Sequence, residues 1–163
     1  KRDRAERYSQ KPTLILITGE EGTGRKDIAK QLEKNLFDSG RVTFYMGMQN
    51  ILLGVEADIP KDSERVENHK EIMRRLGEVG NIMLHAGNLF IVTAIGIRNQ
   101  DIEILKTTLN GAIETIWVGE DVTTDLTPDL HLDSFNNTNE AVNKIKDYLG
   151  IKGIIFNSWV YSI

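Results

Sequence analysis

Short apolar runs alternate with amphipathic stretches along most of the chain. The runs have strand length and are continuous, which is typical of strands buried on both faces of a parallel sheet. The pattern predicts strands at residues 13–18, 42–46, 89–95, 113–118 and 130–132. Helical spacing, as in Ile28, Leu32 and Leu36, follows the first, second, third and fifth of these. We therefore expect an α/β, three-layer fold with a mostly parallel sheet of about five strands.

The first predicted strand runs directly into a glycine-rich turn that precedes a helix. In such a turn, backbone N–H groups converge on phosphate oxygens, and the helix N-terminus adds partial positive charge. The spacing resembles the phosphate-loop motif G-x-x-x-x-G-K-[ST], which indicates a P-loop NTPase-like fold. The candidate phosphate-loop residues are Gly19, Gly22, Thr23, Gly24, Arg25 and Lys26.

This turn departs from the working motif at two positions. Arg25 stands where the motif has lysine, and Lys26 stands where it has the hydroxyl residue that binds magnesium. Glu20 and Glu21 add negative charge to the turn. Two unit charges about 4 Å apart interact by ~4 kcal/mol at an effective dielectric of 20, so polyphosphate would be repelled. The favoured interpretation is a loop inherited from a nucleotide binder and no longer used as one; ATP chemistry is the alternative.

The amino-acid composition excludes several classes of protein. The 163 residues carry 20 basic and 24 acidic side chains, so the net charge is −4 and argues against non-specific nucleic-acid binding. The absence of cysteine excludes disulfides, thiolate metal sites and a cysteine nucleophile. No apolar run is long enough for a membrane span and no signal peptide is evident, so we expect a cytoplasmic protein.

The chain divides into three predicted segments. Residues 1–11 are charged and indicate a short exposed helix or a linker, that is, a solvated arm. Residues 12–150 hold the domain, and residues 151–163 form an apolar tail that packs on the domain or on a partner. Since the first residue is lysine rather than methionine, we expect a piece of a longer protein.

Other candidate side chains have structural interpretations. His69, His85 and His131 lack metal-ligand spacing, which favours surface or helix-end positions. The four methionines and Trp117 are expected to pack in the interior. We assign no catalytic residue and no metal ligand.

Three blocks carry a family resemblance: Arg-Val-Glu-Asn at 65–68, Met-Arg-Arg-Leu-Gly-Glu-Val at 73–79 and His-Ala-Gly at 85–87. They are similar to R-I-E-N, R-R-x-G-E-V-A and A-D-A-G of the adenylylsulfate kinase family, with residues 69–72 inserted. These P-loop enzymes phosphorylate the ribose 3′-hydroxyl of adenylyl sulfate (APS) to give PAPS. The resemblance covers about residues 2–149, and its lead-in at 5–12 resembles that of domains fused behind a sulfate adenylyltransferase.

The resemblance implies which residues bind the substrate and which functional residues of the family are replaced in this chain. It implies that Arg65, Asn68 and Arg98 bind APS or PAPS. Arg65 and Asn68 also have a purely structural interpretation, as an N-terminal helix cap and a surface charge. The family's two aspartates after the second strand correspond to Met46 and Met48 in the run 45–49. The family's basic lid is replaced by residues 119–128, which contain no lysine or arginine.

Three functional hypotheses remain open. The first is a catalytically degenerate APS-, PAPS- or ATP-binding regulatory domain of a larger sulfate adenylyltransferase-type protein. The second is an active kinase that uses ATP and magnesium, with Arg25 and displaced carboxylates such as Asp27 or Glu56. The third is an interaction module that binds no nucleotide and assembles through its apolar tail. A homodimer is a further possibility that the resemblance implies.

Overall fold

The computed structural model describes residues 2–48 and 63–157. Glu56, Gln49 and the aromatic residues Trp159 and Tyr161 of the predicted tail lie outside them. In chain order the described elements are α1 (Arg2–Tyr8), β1 (Thr13–Gly19), α2 (Arg25–Asp38), β2 (Thr43–Gly47), α3 (Ser63–His85), β3 (Leu89–Thr93), α4 (Asn99–Thr108), β4 (Ala112–Val118), β5 (Leu130–Leu132) and α5 (Thr138–Ile151).

The five strands form one parallel sheet in the order β2-β3-β1-β4-β5. Central β1 pairs with both neighbours, placing Thr13 beside Leu89 and beside Ala112. Every residue of β1 is buried, as its unbroken apolar run predicts. The predicted α/β fold is therefore confirmed. β3, predicted to reach residue 95, ends at Thr93, and Ile95 is exposed.

A separate core lies on each face of the sheet. Successive residues of β1 point to opposite faces, so Leu14 and Leu16 join the core under α3 and α4. Ile15 and Ile17 join the core under α2 and α5. Each fully buried Leu or Ile side chain contributes roughly 1.5–3 kcal/mol, so these two cores hold the three layers together. Met48, Met73 and Trp117 are buried, as expected.

Helix ends follow local chemistry. The Asn137 side chain accepts a hydrogen bond from the backbone N–H of Glu140 (2.9 Å), which caps α5 at its predicted start.

Helices α3 and α4 approach closely at Gly77, where a Cβ would overlap the Thr108 hydroxyl. None of the helices within the described ranges combines the length and apolar character needed to cross a bilayer.

The N-terminal segment is docked on the domain. Gln10 is fully buried, and its Nε2 donates to the carbonyls of Val42 (2.7 Å) and Gly87 (2.8 Å). Arg4 Nη1 donates to the His85 carbonyl at the end of α3 (2.6 Å). Gln10 is therefore packed against the domain, because its side chain satisfies backbone groups that other segments leave unpaired, whereas Arg4 in α1 stays exposed. Beyond α5, Ile154 is buried in the core.

Candidate functional site

The glycine-rich turn lies at the carboxyl end of β1, where ligands bind in open α/β sheets. A Cβ at Gly19 would overlap the Val118 carbonyl oxygen on β4, so only glycine fits between the two strands. Gly22 and Gly24 both have φ of 83°, in the left-handed region that favours glycine. Thr23 Oγ1 donates to the Glu20 carbonyl (3.0 Å) within the turn. The turn therefore has the compact shape of a phosphate-binding loop.

Arg25, the first residue of α2, is turned into this loop. Its side chain is buried, and its Nη1 donates to the Glu20 carbonyl oxygen (3.2 Å). Its Nε is also buried and has no hydrogen-bond partner among the described residues. Lys26, the next residue, is exposed. The guanidinium is thus held by the backbone of its own loop.

The two loop carboxylates differ in their surroundings. Glu20 accepts a hydrogen bond from the hydroxyl of Thr123, in the segment 119–128. Glu21 is exposed. One carboxylate is therefore tied to a neighbouring segment, and the other faces solvent beside the loop.

Residues 119–128 are pinned across the carboxyl edge of the sheet. Thr124 Oγ1 donates to the carbonyl of Ile97 (2.7 Å), and Asn99 Nδ2 donates to that of Asp125 (2.7 Å). Trp117 Nε1 donates to the carbonyl of Asp121 (2.9 Å). The segment therefore bridges the phosphate loop, the end of β3 and the start of α4.

The end of β2 carries thioethers where the resemblance expects carboxylates. Met48 is buried and Met46 is half-buried against the same core. Magnesium prefers hard oxygen ligands, and a thioether is a soft one. Within the described part of the chain, no group of three or more histidine, aspartate or glutamate side chains is arranged to hold a metal ion. These residues do not fit a magnesium site.

The three residues that the resemblance assigns to APS or PAPS lie on two helices. Arg65 lies in the first turn of α3, one turn before Asn68. The Nδ2 of Asn68 is buried and lacks a partner among the described residues. Arg98 is exposed at the start of α4, where its backbone N–H donates to Asp101 Oδ2 (2.9 Å). Helix α3 runs without a break through residues 69–72, which the resemblance treats as inserted, and four helical residues span about one turn, or roughly 6 Å.

A histidine–aspartate pair joins α3 to α4. His69 Nε2 donates to Oδ1 of the buried Asp101 (2.6 Å). The hydrogen bond to Asp101 raises the pKa of His69 above its ordinary value, against the opposing effect of partial burial. Burial alone would raise the pKa of Asp101, but hydrogen bonds from His69 and the Arg98 backbone outweigh it and lower that pKa. Both pKa shifts favour a protonated His69 beside an ionised Asp101.

The predicted surface position of His69 is confirmed, but its hydrogen bond to Asp101 was not predicted. Its side chain is 46% exposed but is fixed by a partner 32 positions away. The sequence offers one indirect signal, since Arg98 and Asp101 have the spacing of a helix start and an acidic third residue. That signal locates Asp101 but does not show that His69 packs beside it.

Two cavities open at this edge of the sheet. A cavity of about 130 Å³ is lined by Arg25, Lys26 and Met48 among others, and one of about 380 Å³ is lined by Lys70, Arg98 and Asp101 among others. Of the described residues, His69 alone lines both. His69 therefore lies between the cavity beside the phosphate loop and the cavity at the start of α4.

Comparison with known proteins places this arrangement in a family. The family model for adenylylsulphate kinase matches residues 11–151. An adenylyl-sulfate kinase from Aeromonas hydrophila is 39% identical over 95 residues, which are 58% of this chain and 46% of that protein. The bifunctional enzyme NodQ from Rhizobium sp. (strain N33) is 38% identical over 96 residues, 58% of this chain and 14% of that enzyme. The chain spans less than half the length of these curated relatives.

Solved structures share the fold. The APS kinase CysC of Mycobacterium tuberculosis, in complex with AMPPNP and APS, superposes with a TM-score of 0.70 at 18% identity, over 86% of this chain and 99% of that one. A hexameric APS kinase from Thiobacillus denitrificans gives 0.72 at 19% identity, over 91% of this chain and 31% of that one. At these identities the likeness shows the fold alone.

Proposed function

Because this chain belongs to the adenylylsulphate kinase family, we propose that it is a nucleotide-binding domain that binds adenylyl sulfate or its 3′-phosphorylated product, PAPS, without transferring phosphate. It acts as the regulatory domain of a larger sulfate adenylyltransferase-type protein. The similarity of residues 5–12 to the lead-in of fused domains supports this arrangement, and so does the match to bifunctional relatives.

The observation that carries the proposal is the placement of Arg25. In a working loop the cation reaches the β- and γ-phosphates and compensates the charge that develops during transfer. Here Arg25 is buried and donates to the Glu20 carbonyl of its own loop. The guanidinium is thus held by its own loop at the edge of the small cavity, and a nucleotide has to displace this contact before Arg25 reaches its phosphates.

The donor chemistry for magnesium supports the same conclusion. Phosphoryl transfer depends on a metal ion that bridges phosphate oxygens. The ammonium group of Lys26 repels a cation at the position of the metal-binding hydroxyl, and Met46 and Met48 replace the carboxylates. ATP and magnesium are therefore required only if the domain is an active kinase.

Retained nucleotide binding has support of its own. Lys70 and Arg98 line the larger cavity, and their charges suit the anionic groups of APS and PAPS. The Nδ2 of Asn68, buried without a described partner, is a donor that a ligand acceptor would satisfy. These groups bind and orient an anionic ligand and need no metal.

The test is titration calorimetry of the chain with APS, PAPS, ADP and ATP–magnesium, alongside a coupled assay for PAPS formation. We expect binding of APS or PAPS in the micromolar range or tighter, with no turnover. Turnover at the ordinary kinase rate would overturn the proposal in favour of an active kinase, for which Asp27, exposed in the first turn of α2, is the described carboxylate. Lack of binding by all four ligands would favour an interaction module.

A variant pair links the binding signal to this site. Arg98→Ala removes a cation from the larger cavity and should weaken APS or PAPS binding by about 1.5–3 kcal/mol, the range for a charge-assisted contact. Arg75→Ala removes an exposed arginine on α3 that lines neither cavity, and it should leave the affinity unchanged. Equal effects of the two substitutions would place the ligand elsewhere.

A further inference from the structure

His69 occupies a distinctive position in the candidate site. It lines both the small cavity beside the phosphate loop and the larger cavity at the start of α4. No other described residue does so. Its ring is therefore placed to touch any ligand that extends from one cavity into the other.

Asp101 fixes the orientation of this ring. The carboxylate receives the His69 Nε2–H at Oδ1 and the Arg98 backbone N–H at Oδ2. Asp101 is buried, so its two oxygens are committed to these donors and its charge is directed toward them. The opposite side of the imidazole remains open to the cavities, since the side chain is 46% exposed and has no other hydrogen-bond partner in the described ranges.

The charges around His69 are predominantly positive. Arg98 and Asp101 face it from α4, Lys70 follows it on α3, and the start of α2 contributes Arg25 and Lys26 across the small cavity. Four cationic side chains thus line the two cavities, which hold one buried carboxylate, and a protonated His69 adds a fifth positive charge. This excess of positive charge favours the ligand that places the most negative charge beside His69.

The sizes of the cavities indicate how a ligand is divided between them. About 130 Å³ beside the loop suits a single anionic group, whereas about 380 Å³ lies within the roughly 300–1,000 Å³ of small-molecule sites. An adenosine nucleotide with two separated anionic groups matches this division in size, with His69 between the two volumes.

On the basis of the proposed function, we infer that His69 is a specificity-determining residue of this site: its imidazole, held by Asp101, contacts a phosphate or sulfate group where the two cavities meet. The contact favours a nucleotide with an anionic group on both the 3′ and 5′ sides over one with a single such group. This role is separate from Arg65, Asn68 and Arg98, because it arises from the inserted turn of α3.

The experiment compares four ligands by titration calorimetry: AMP, adenosine 3′,5′-bisphosphate, APS and PAPS. We expect the 3′-phosphorylated member of each pair to bind at least tenfold more tightly than its partner. His69→Gln keeps a donor for Asp101 but cannot carry charge, and it should reduce this preference by about tenfold, the size of one charge-assisted hydrogen bond. His85→Gln, an exposed histidine of the same helix away from both cavities, should leave it unchanged.

A pH series separates contact with the ligand from a merely structural role. Between pH 7 and 9 the phosphate monoester stays a dianion, since its second pKa is about 6. Wild-type affinity for the bisphosphate should fall across this range as His69 loses its proton, whereas the affinity of His69→Gln should not change.

The outcomes are distinguishable. An unchanged 3′-phosphate preference in His69→Gln, or equal pH dependence in both proteins, would overturn the inference while leaving the proposed function intact. Absence of binding by all ligands to the wild-type chain would overturn the proposed function, and the inference with it. Thermal melts of both variants check that each is folded.

Discussion

Nε2 of His69 lies 2.6 Å from Oδ1 of Asp101, and this contact joins α3 to the first turn of α4. The same carboxylate accepts the backbone N–H of Arg98, so one buried aspartate positions both sides of the larger cavity. A change at Asp101 therefore affects the stability of the helix pair and the shape of the site together.

The pair predicts a pH-dependent contribution to folding. Since the pKa of His69 is raised, its stabilisation is complete below the ordinary value of about 6.5 and is lost as pH rises through the raised pKa. Since the pKa of Asp101 is lowered, its stabilisation is present above about 4 and is lost as pH falls through the lowered pKa. The contribution is greatest between about pH 4.5 and 6.5.

Asp101→Asn tests this window. The difference in unfolding midpoint between wild type and variant should be largest near pH 5.5 and smaller at pH 9, measured by thermal melts at matched ionic strength. Asp147→Asn, an exposed aspartate on α5, serves as the control and should show a small, flat difference. A difference that grows toward pH 9 would contradict the assignment of a charged pair.

Gly77→Ala should destabilise the protein. The added Cβ overlaps Thr108 Oγ1, which is already held by the carbonyls of Arg74 (3.1 Å) and Leu105 (3.3 Å). Overpacking costs about 1–3 kcal/mol, which exceeds the gain of up to ~1 kcal/mol in helix propensity. Gly150→Ala in α5 meets open space and should be neutral or slightly stabilising. Urea denaturation measures both, and equal free energies of unfolding would refute the close α3–α4 contact.

Gln10→Ala should cost about 2–3 kcal/mol of folding free energy. The truncation leaves the carbonyls of Val42 and Gly87 without their side-chain donor and the Val42 N–H without its acceptor in a buried setting. Lys11→Ala, at an exposed neighbour, is the matched control and should have little effect. If both variants unfold at the same urea concentration as wild type, the N-terminal segment is not docked in solution.

Neutralising the loop carboxylates should strengthen nucleotide binding. Glu20→Gln combined with Glu21→Gln removes two negative charges beside the phosphate loop, while the amide introduced by the first substitution keeps an acceptor oxygen for Thr123. We expect ADP to bind about twofold to tenfold more tightly, the range for exposed charge interactions. Glu103→Gln, an exposed change on α4, provides the control for overall charge. An affinity that does not respond to the double substitution would mean that phosphate does not approach this loop.

Local patterns predicted the fold because they depend on near neighbours. The apolar run of β1 and the four-residue spacing of Ile28, Leu32 and Leu36 each specify an element through burial of one side or of both. The glycines of the 19–24 turn similarly indicated its shape, since left-handed backbone and close approach exclude other residues. Asn137 marked the start of α5 through a cap that spans three residues.

The side-chain contacts of the candidate site could not be predicted from such near-neighbour patterns. The resemblance assigned Asn68 and Arg98 to ligand binding, which stays a prediction, and it did not reveal the burial of Arg25 or its bond to the Glu20 carbonyl. A charged side chain at a motif position is read as a ligand, and only its packing shows whether it reaches outward or folds back.

By itself, the sequence determined the order of strands and helices, the glycine-rich turn after β1 and the presence of thioethers at Met46 and Met48. Tertiary structure alone decided that His69 meets Asp101 and that Glu20 meets Thr123, 103 positions along the chain. Periodicity and turn chemistry depend on residues only a few positions apart, so they can be recognised in the amino-acid sequence. Contacts between distant polar groups depend on how the helices pack on the sheet, and that packing is set by the two cores as a whole.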